Sequence, residues 1–247
     1  MTIISGVRLM RAPCCGRIFS FPNYRSMNFS AFEYWTDGWS DGALMPVGEG
    51  VRICTCGSLF LNRACTLVEV TEASDIAYAD WAGPDDFRKQ IIDGGDHDLM
   101  LAVRLDLWRH LNHPYRHEYR THRDNEEAAI EAEWQEANPD CRTWWDKLLR
   151  KKPPAYRRPQ DRPITFPPFC ATAEQLENMA ALTGLLSTLP ESQRNNLLLA
   201  ELFREQGRME EAKGAMSLAK PDDDPTRQLV LRTSLGQCQN MPIRFRY

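Results

Sequence analysis

The 247-residue sequence lacks the patterns of a membrane-spanning or exported protein. It contains no uninterrupted run of about eighteen apolar residues, the length needed to cross a bilayer. The first residues, Met1 to Val7, place no charged segment before a continuous apolar stretch, so we expect no signal peptide. These absences predict a cytoplasmic protein without a membrane partner.

An excess of positive charge is also missing. The 30 Lys and Arg residues are outnumbered by 34 Asp and Glu residues, so the formal net charge is −4. Proteins that coat nucleic acids present a net basic face, because they must neutralise phosphates. The composition therefore argues against a nucleic acid as the partner. With 43% hydrophobic and 26% charged residues, the chain is expected to fold.

Several common catalytic sequence patterns are absent as well. The chain has no phosphate-binding loop, no dinucleotide fingerprint and no His-Glu-x-x-His pair. We therefore expect a protein that is not an enzyme, and we assign no catalytic residue. A hydrolase that uses Cys and His side chains stays open, since both residue types are present.

What the sequence does contain is a group of cysteines near its start. Five of the eight lie within the first 65 residues, namely Cys14, Cys15, Cys54, Cys56 and Cys65. Without an export signal, such a group indicates metal binding or free thiols more than a disulfide framework.

A short internal repeat surrounds four of these cysteines. The segment Cys15-Gly-Arg-Ile-Phe19 recurs as Cys56-Gly-Ser-Leu-Phe60, and a further cysteine, Cys14 or Cys54, lies just before each copy. Two thiolates at a tight turn followed by glycine are typical of a zinc knuckle, and two knuckles supply the four sulfurs of a structural zinc site. The repeat therefore predicts Zn²⁺ bound by Cys14, Cys15, Cys54 and Cys56.

The spacing departs from the usual Cys-x-x-Cys-Gly knuckle. The second copy, Cys54-Thr-Cys56, is one residue short, and Ala12 stands where the first copy would place its first thiolate. Cys14, which directly precedes Cys15, would then supply the missing thiolate. Otherwise Cys65 or a water would be the fourth ligand of the metal. The same residues are also compatible with a knuckle that folds without metal, or with a disulfide between adjacent cysteines.

Composition and periodicity divide the chain into four segments and predict an α+β fold. Residues 1–72 are predicted to form a small zinc-ribbon-like β module, and residues 73–150 a helical region. Residues 151–170 are predicted to form a proline-rich strap, and residues 171–247 a tetratricopeptide-like helical region. A mostly α-helical, repeat-like bundle would thus follow the β module. The predicted strands are 19–21, 32–35, 51–53, 59–61 and a final one at 243–247. The strap begins with Lys151-Lys152-Pro153-Pro154 and excludes a helix.

Helical periodicity is clear in several segments. It predicts helices over residues 98–111, 125–137 and 140–150. The tail predicts a helical hairpin over residues 195–220 that turns at Gly207. Its small and apolar residues occupy the positions that define a tetratricopeptide repeat: Leu199, Ala200, Phe203, Ala212, Met216 and Ala219. Helices at 176–189 and 226–235 can stack against this hairpin.

Two features suggest contact with a partner. Trp39 lies between Gly38 and Ser40, where a turn would expose it, although we interpret most of the aromatic residues from Tyr24 through Phe29 to Trp39 as core. The second feature is a basic stretch that contains Tyr115, Arg116 and Arg120, together with four histidines. Pro114 interrupts the spacing of His113 and His117, so we interpret this stretch as a solvated basic face and not a metal site.

The runs Pro13-Cys-Cys-Gly16, Tyr34-Trp-Thr-Asp-Gly38 and Cys54-Thr-Cys-Gly57 resemble a group of bacterial proteins without an established activity. That resemblance implies a zinc-ribbon head with a Trp-Thr/Ser-Asp-Gly hairpin and a tetratricopeptide-like tail. It covers about the first 65 residues and residues 175–220. It adds no enzymatic activity to the expectation.

The observations together predict a non-enzymatic module that binds another protein, as an adaptor or an inhibitor. One specialised form is an immunity protein that neutralises a toxin or effector. A hydrolase with an open zinc site or a Cys and His pair is the alternative, and a nucleic-acid-binding zinc ribbon is a weaker one.

Overall fold

A computed structural model describes residues 2–27, 31–42, 50–150, 152, 155–159, 162–190, 195–220 and 224–246. The predicted α+β class is confirmed, with small antiparallel sheets in the N-terminal part and helices after them. Some positions named above lie outside the described residues: Phe29, Lys151, Pro153, Pro154 and Tyr247.

The described strands form three antiparallel sheets of three strands each, in the orders β2-β1-β7, β4-β3-β9 and β6-β5-β8. The predicted strands in the N-terminal module and at the C-terminus are present. The strand bounds are β1 Ile3–Arg11, β2 Ile18–Ser26, β3 Glu33–Trp35, β4 Ser40–Asp41, β5 Val51–Ile53, β6 Leu59–Leu61, β7 Thr66–Thr71, β8 Asp80–Trp81 and β9 Arg244–Phe245.

The α-helices begin after β8, and a short 3-10 turn, Asn62–Ala64, lies between β6 and β7. The bounds of the α-helices are α1 Pro84–Asp93, α2 His97–Leu111, α3 His113–Ala137, α4 Trp144–Leu148, α5 Ala173–Thr188, α6 Asn196–Glu205, α7 Met209–Ser217 and α8 Pro225–Gly236. None of the helices in the described ranges has the length and apolarity that a membrane span requires.

Two compact units make up the chain. The first contains residues 1–112 and 170–247, and the second contains residues 113–169. The predicted β module and the predicted tail therefore both belong to the first unit. They are separated in sequence by the whole of the second.

Two apolar clusters organise the helical part of the first unit. Val51 and Leu59 of the β5–β6 hairpin pack with Phe87 of α1 and Val103 and Leu107 of α2. A larger cluster joins α2 to the C-terminal helices: Trp108, Met179, Leu182, Leu186, Leu197, Leu198, Leu199, Ala200, Leu202, Ala212, Ala215, Met216, Leu231 and Leu235. Burial of this apolar surface is the main source of stability of the unit.

The hairpin predicted around Gly207 is present as α6 and α7. Gly207 has a φ of +75°, the left-handed conformation that glycine adopts at little cost, and its amide donates to the carbonyl of Arg204 (2.9 Å). The two helices contain 10 and 9 residues. The tetratricopeptide assignment itself stays a prediction.

The second unit is built on a longer helix than the periodicity predicts. Helix α3 begins at His113 instead of Asn125, because Pro114 lies in its first turn, where the missing amide hydrogen breaks no helical bond. The described part of the strap lies along this helix. Phe166 packs on Tyr119 with ring centroids 5.9 Å apart, and Phe169 packs on Tyr115 at 5.0 Å.

The turn that follows β3, Trp35-Thr-Asp-Gly38, is buried by the C-terminal part of the chain. Thr36 and Asp37 have no exposed surface. The Thr36 amide donates to the Ile243 carbonyl (3.0 Å), and the Ile243 amide donates to the Thr36 hydroxyl (2.9 Å). Arg227 donates to the Thr36 carbonyl (2.8 Å from Nε). The hairpin is thus the point at which the tail attaches to the β module.

A buried ion pair on α6 supports this attachment. Arg204 and Glu201 are both fully buried and form two parallel hydrogen bonds of 2.7 and 2.8 Å. Arg204 also donates to the carbonyls of Gln239 (2.7 Å) and Met241 (2.8 Å), which precede β9. The guanidinium therefore has charge compensation and hydrogen-bond acceptors at the same time, as a buried ion requires.

A second buried acid, Glu205, follows Arg204 directly on α6. Its Oε2 accepts hydrogen bonds from the Trp108 indole (2.8 Å) and from the side-chain amide of Asn112 (3.0 Å). The same side-chain amide also donates to the Asp37 carboxylate (3.2 Å). Burial, and then the charges of Glu201 and Asp37, raise the pKa of Glu205 well above its ordinary value.

Replacement of Arg204 by Met is expected to destabilise the protein by about 3–5 kcal/mol, because it leaves the Glu201 carboxylate buried without its partner. Urea unfolding followed by circular dichroism measures this. The matched control is Lys213→Met, which removes an exposed pair with Glu210 (2.7 Å) and should leave the stability nearly unchanged, because solvent screens that pair. Equal losses in the two variants would contradict the structural role of the buried pair.

Replacement of Glu205 by Gln is expected to change how stability depends on pH. The pKa of Glu205 is higher in the folded state than in the unfolded state, where it is about 4. The free energy of unfolding of the wild type therefore decreases as the pH rises from about 4 towards the pKa of the folded state. The variant lacks this proton, so its stability relative to the wild type should increase with pH. Urea titrations across the pH range test this, with Glu210→Gln, whose side chain is 83% exposed, as the control. A pH-independent difference for Glu205→Gln would contradict it.

Candidate metal centre

The first cysteine turn connects β1 to β2. The last paired residues are Arg11 and Ile18, and the amide of Ala12 donates to the carbonyl of Arg17 (2.8 Å) across the turn. Gly16 closes it with a φ of +74°, which explains the glycine after the second cysteine. The turn displays the Cys14 and Cys15 side chains at the end of the hairpin.

The second turn connects β5 to β6 in the same way but is one residue shorter. The amide of Cys54 donates to the carbonyl of Ser58 (2.9 Å), as Ala12 does to Arg17 in the first turn. Cys54 therefore occupies the place that Ala12 has in the first copy, and both residues are buried at 2% exposure. The longer first turn has room for two adjacent cysteines after this position.

The last residues of the two repeats bring the turns together. Phe19 and Phe60 stack with their ring centroids 5.9 Å apart, inside an apolar cluster that also contains Phe21 and Ala79. This packing, together with a hydrogen bond of 2.6 Å from Arg17 to the Thr55 hydroxyl, fixes one turn against the other. The sequence repeat included both phenylalanines but did not reveal that they contact each other.

The four predicted cysteines lie together. Cys15 and Cys54 have their sulfurs 3.4 Å apart, Cys14 and Cys56 have theirs 3.6 Å apart, and all four Sγ atoms lie within 4.8 Å of one another. A tetrahedral zinc with four bonds of about 2.3 Å requires sulfurs about 3.8 Å apart. The set therefore fits a single tetrahedral metal ion with four sulfur ligands.

No disulfide competes for these sulfurs. All eight cysteines are free thiols, and the closest pair is well beyond the S–S bond length of about 2.0 Å. Cys54 is buried, whereas Cys14, Cys15 and Cys56 are exposed, so an ion can reach the cluster from one side.

The four thiols differ in acidity. Hydrogen bonds with the side chain and backbone of Ser58 lower the pKa of Cys56 to about 6. Partial burial, followed by hydrogen bonds with the neighbouring thiols, raises the pKa of Cys14 to about 12. Metal ligands must be thiolates, so Cys56 is ready to bind an ion at neutral pH and Cys14 releases a proton when it binds.

Cys65, the alternative fourth ligand, lies elsewhere. Its thiol is within 3.8 Å of the Leu61 carbonyl, and burial raises its pKa to about 11. It packs at the edge of the cluster that contains Phe19 and Phe60. The group of potential metal ligands consists of the four cysteines without it.

The residues predicted to contact a partner are less accessible than expected. Tyr115 (6% exposed) and Arg116 (0%) are buried, and Trp39 and Arg120 are half-buried. Tyr115 and Arg116 therefore offer a partner almost no surface. Their burial was not visible in the sequence, because the helix that contains them starts earlier than the periodicity indicated.

No protein-family model, curated protein or solved structure matches the chain. Of the resemblance described above, the structure supports the cysteine cluster and the helical C-terminal region.

Purified protein is expected to contain about one equivalent of metal per chain, and Cys54→Ser is expected to lose it, because three sulfurs hold the ion less tightly than four. Elemental analysis measures the content, and X-ray absorption distinguishes four sulfurs at about 2.3 Å from three sulfurs and an oxygen. Removal of the metal by a chelator should also lower the melting temperature.

The matched control is Cys170→Ser, which replaces an exposed cysteine outside the cluster and should keep the full metal content. Wild-type protein that contains no transition metal, after expression in zinc-supplemented medium, would contradict the site.

Proposed function

We propose that the chain is a non-enzymatic protein-binding module whose N-terminal hairpins are held together by a structural Zn²⁺. The observation that carries this proposal is the four-sulfur set, with all Sγ atoms within 4.8 Å. Structural zinc sites are closed by four protein ligands, whereas catalytic ones keep a position for water or substrate. Four thiolates from this chain leave no such position.

The choice of zinc over other metals rests on the donors. Four thiolates in tetrahedral positions suit zinc or a single iron. The cysteines lie on two turns of different hairpins, which is the arrangement of a structural ion that crosslinks elements of a small β module. An X-ray absorption spectrum identifies the element as well as the ligand number.

Strand β7 is the surface that this proposal assigns to the partner. Within the described part of the chain, β7 pairs on one side with β1 and forms the edge of its sheet. Leu67 (53%), Val68 (44%) and Val70 (52%) are exposed on it. An edge strand with free backbone groups and exposed apolar side chains accepts an extended segment of another protein as a further strand.

The alternative of a hydrolase requires an open metal position or a Cys and His pair. The X-ray absorption experiment tests the open metal position, because a zinc with such a position would have three sulfur ligands and one oxygen ligand. Neutralisation of a toxin by an immunity protein, in the cytoplasm, is a specialised form of the protein-binding proposal and predicts that the partner is toxic when expressed alone.

Substitution of Val68 and Val70 together by Lys is expected to abolish capture of the partner, because two charges at the strand edge oppose strand addition. Affinity purification from the source cells with the full chain as bait measures capture. Leu229→Lys, at a 67% exposed position on α8, is the matched control. A partner retained by the wild type and the control but lost from the double variant supports the proposal. A wild-type bait that retains no specific protein, or a partner unaffected by the double substitution, contradicts it.

A further inference from the structure

Helix α4 and the residue after it, in the second unit, expose four large apolar side chains within six residues. Trp144 is 66% exposed, Trp145 64%, Leu148 58% and Leu149 68%. Isolated apolar residues are common on protein surfaces, but a contiguous group of this kind marks an interaction site.

Local contacts orient these side chains. Thr143 and Asp146 form a reciprocal cap, in which the Asp146 carboxylate accepts from the Thr143 amide (3.0 Å) and the Asp146 amide donates to the Thr143 hydroxyl (3.2 Å). Residues four apart on a helical turn share a face, so Trp144 lies beside Leu148 on it. The two indoles pack edge to face, with centroids 4.5 Å apart.

Positive charge is concentrated within and directly after this apolar group. Four of the six residues from 147 to 152 are basic, namely Lys147, Arg150, Lys151 and Lys152, although the whole chain has a net charge of −4. The described side chains of Arg150 and Lys152 are exposed. The segment therefore complements an apolar surface that is bordered by negative charge.

We propose that α4 and the basic residues after it dock on an anionic lipid surface. Tryptophan and leucine beside a lysine- and arginine-rich flank are typical of segments that insert into the headgroup region. Protein interfaces, in contrast, are depleted of lysine. Such docking is peripheral, so it requires no spanning helix, and it revises the expectation of no membrane partner. It is independent of the metal site and of strand β7.

The test is co-sedimentation of the full chain with vesicles of phosphatidylcholine alone, or of phosphatidylcholine mixed equally with phosphatidylglycerol. Binding is expected to the mixed vesicles, and to weaken as salt is added because the charges are screened. Substitution of Trp144 and Trp145 by Ser should lower the affinity about tenfold or more, because two indoles no longer leave water. Substitution of Arg150 and Lys152 by Glu should lower the affinity for the mixed vesicles and should not change the affinity for vesicles of phosphatidylcholine alone.

The control is Ile92→Ser with Leu229→Ser, which removes two apolar side chains of equal or greater exposure (85% and 67%) from other helices. It should bind as the wild type does. Unchanged circular dichroism spectra and melting temperatures show that each variant is folded. The absence of vesicle binding by the wild type, or equal binding by the tryptophan variant, would overturn the proposal; either result would leave a protein as the occupant of this surface.

Discussion

The candidate metal centre depends on one aromatic contact, the stack of Phe19 on Phe60. The two cysteine turns are 39 or more residues apart in sequence, yet their sulfurs lie within bonding range of a common ion. The phenyl rings are buried with Phe21 in a small apolar cluster, so the hairpins are positioned by packing. A metal ion bound by the four cysteines would add its binding energy to an arrangement whose entropy cost is already largely met by this packing.

The second constraint is the buried polar network around Thr36. It joins the turn after β3 to the tail, because Arg204 contacts Thr36 and the carbonyls that precede β9. Gly38 is required at this place: its φ is +79°, and a Cβ would lie 3.3 Å from the Arg109 guanidinium. The network makes the first and last segments of the chain one compact unit. Polar groups buried in this way demand specific partners and so favour one tail position over others.

The two units differ in what they expose. The first buries charged side chains such as Glu201 and Glu205 and, among the residues that the structure describes, pairs only one side of β7, whereas the second exposes the apolar side chains of α4. A protein partner at β7 and a lipid surface at α4 would therefore not compete for the same residues.

The sequence by itself determined the α+β class, the two cysteine-containing turns and the turn at Gly207, because periodicity, ligand type and glycine conformation are local properties. Only the tertiary structure decided that Cys14 and Cys15 both reach the cluster, since this depends on how one turn faces the other across the Phe19 and Phe60 rings. The tertiary structure also decided the burial of Arg116 and the contact between Thr36 and Arg204, 168 residues apart. Burial and long-range pairing are set by distant elements, and no spacing in the chain encodes them directly.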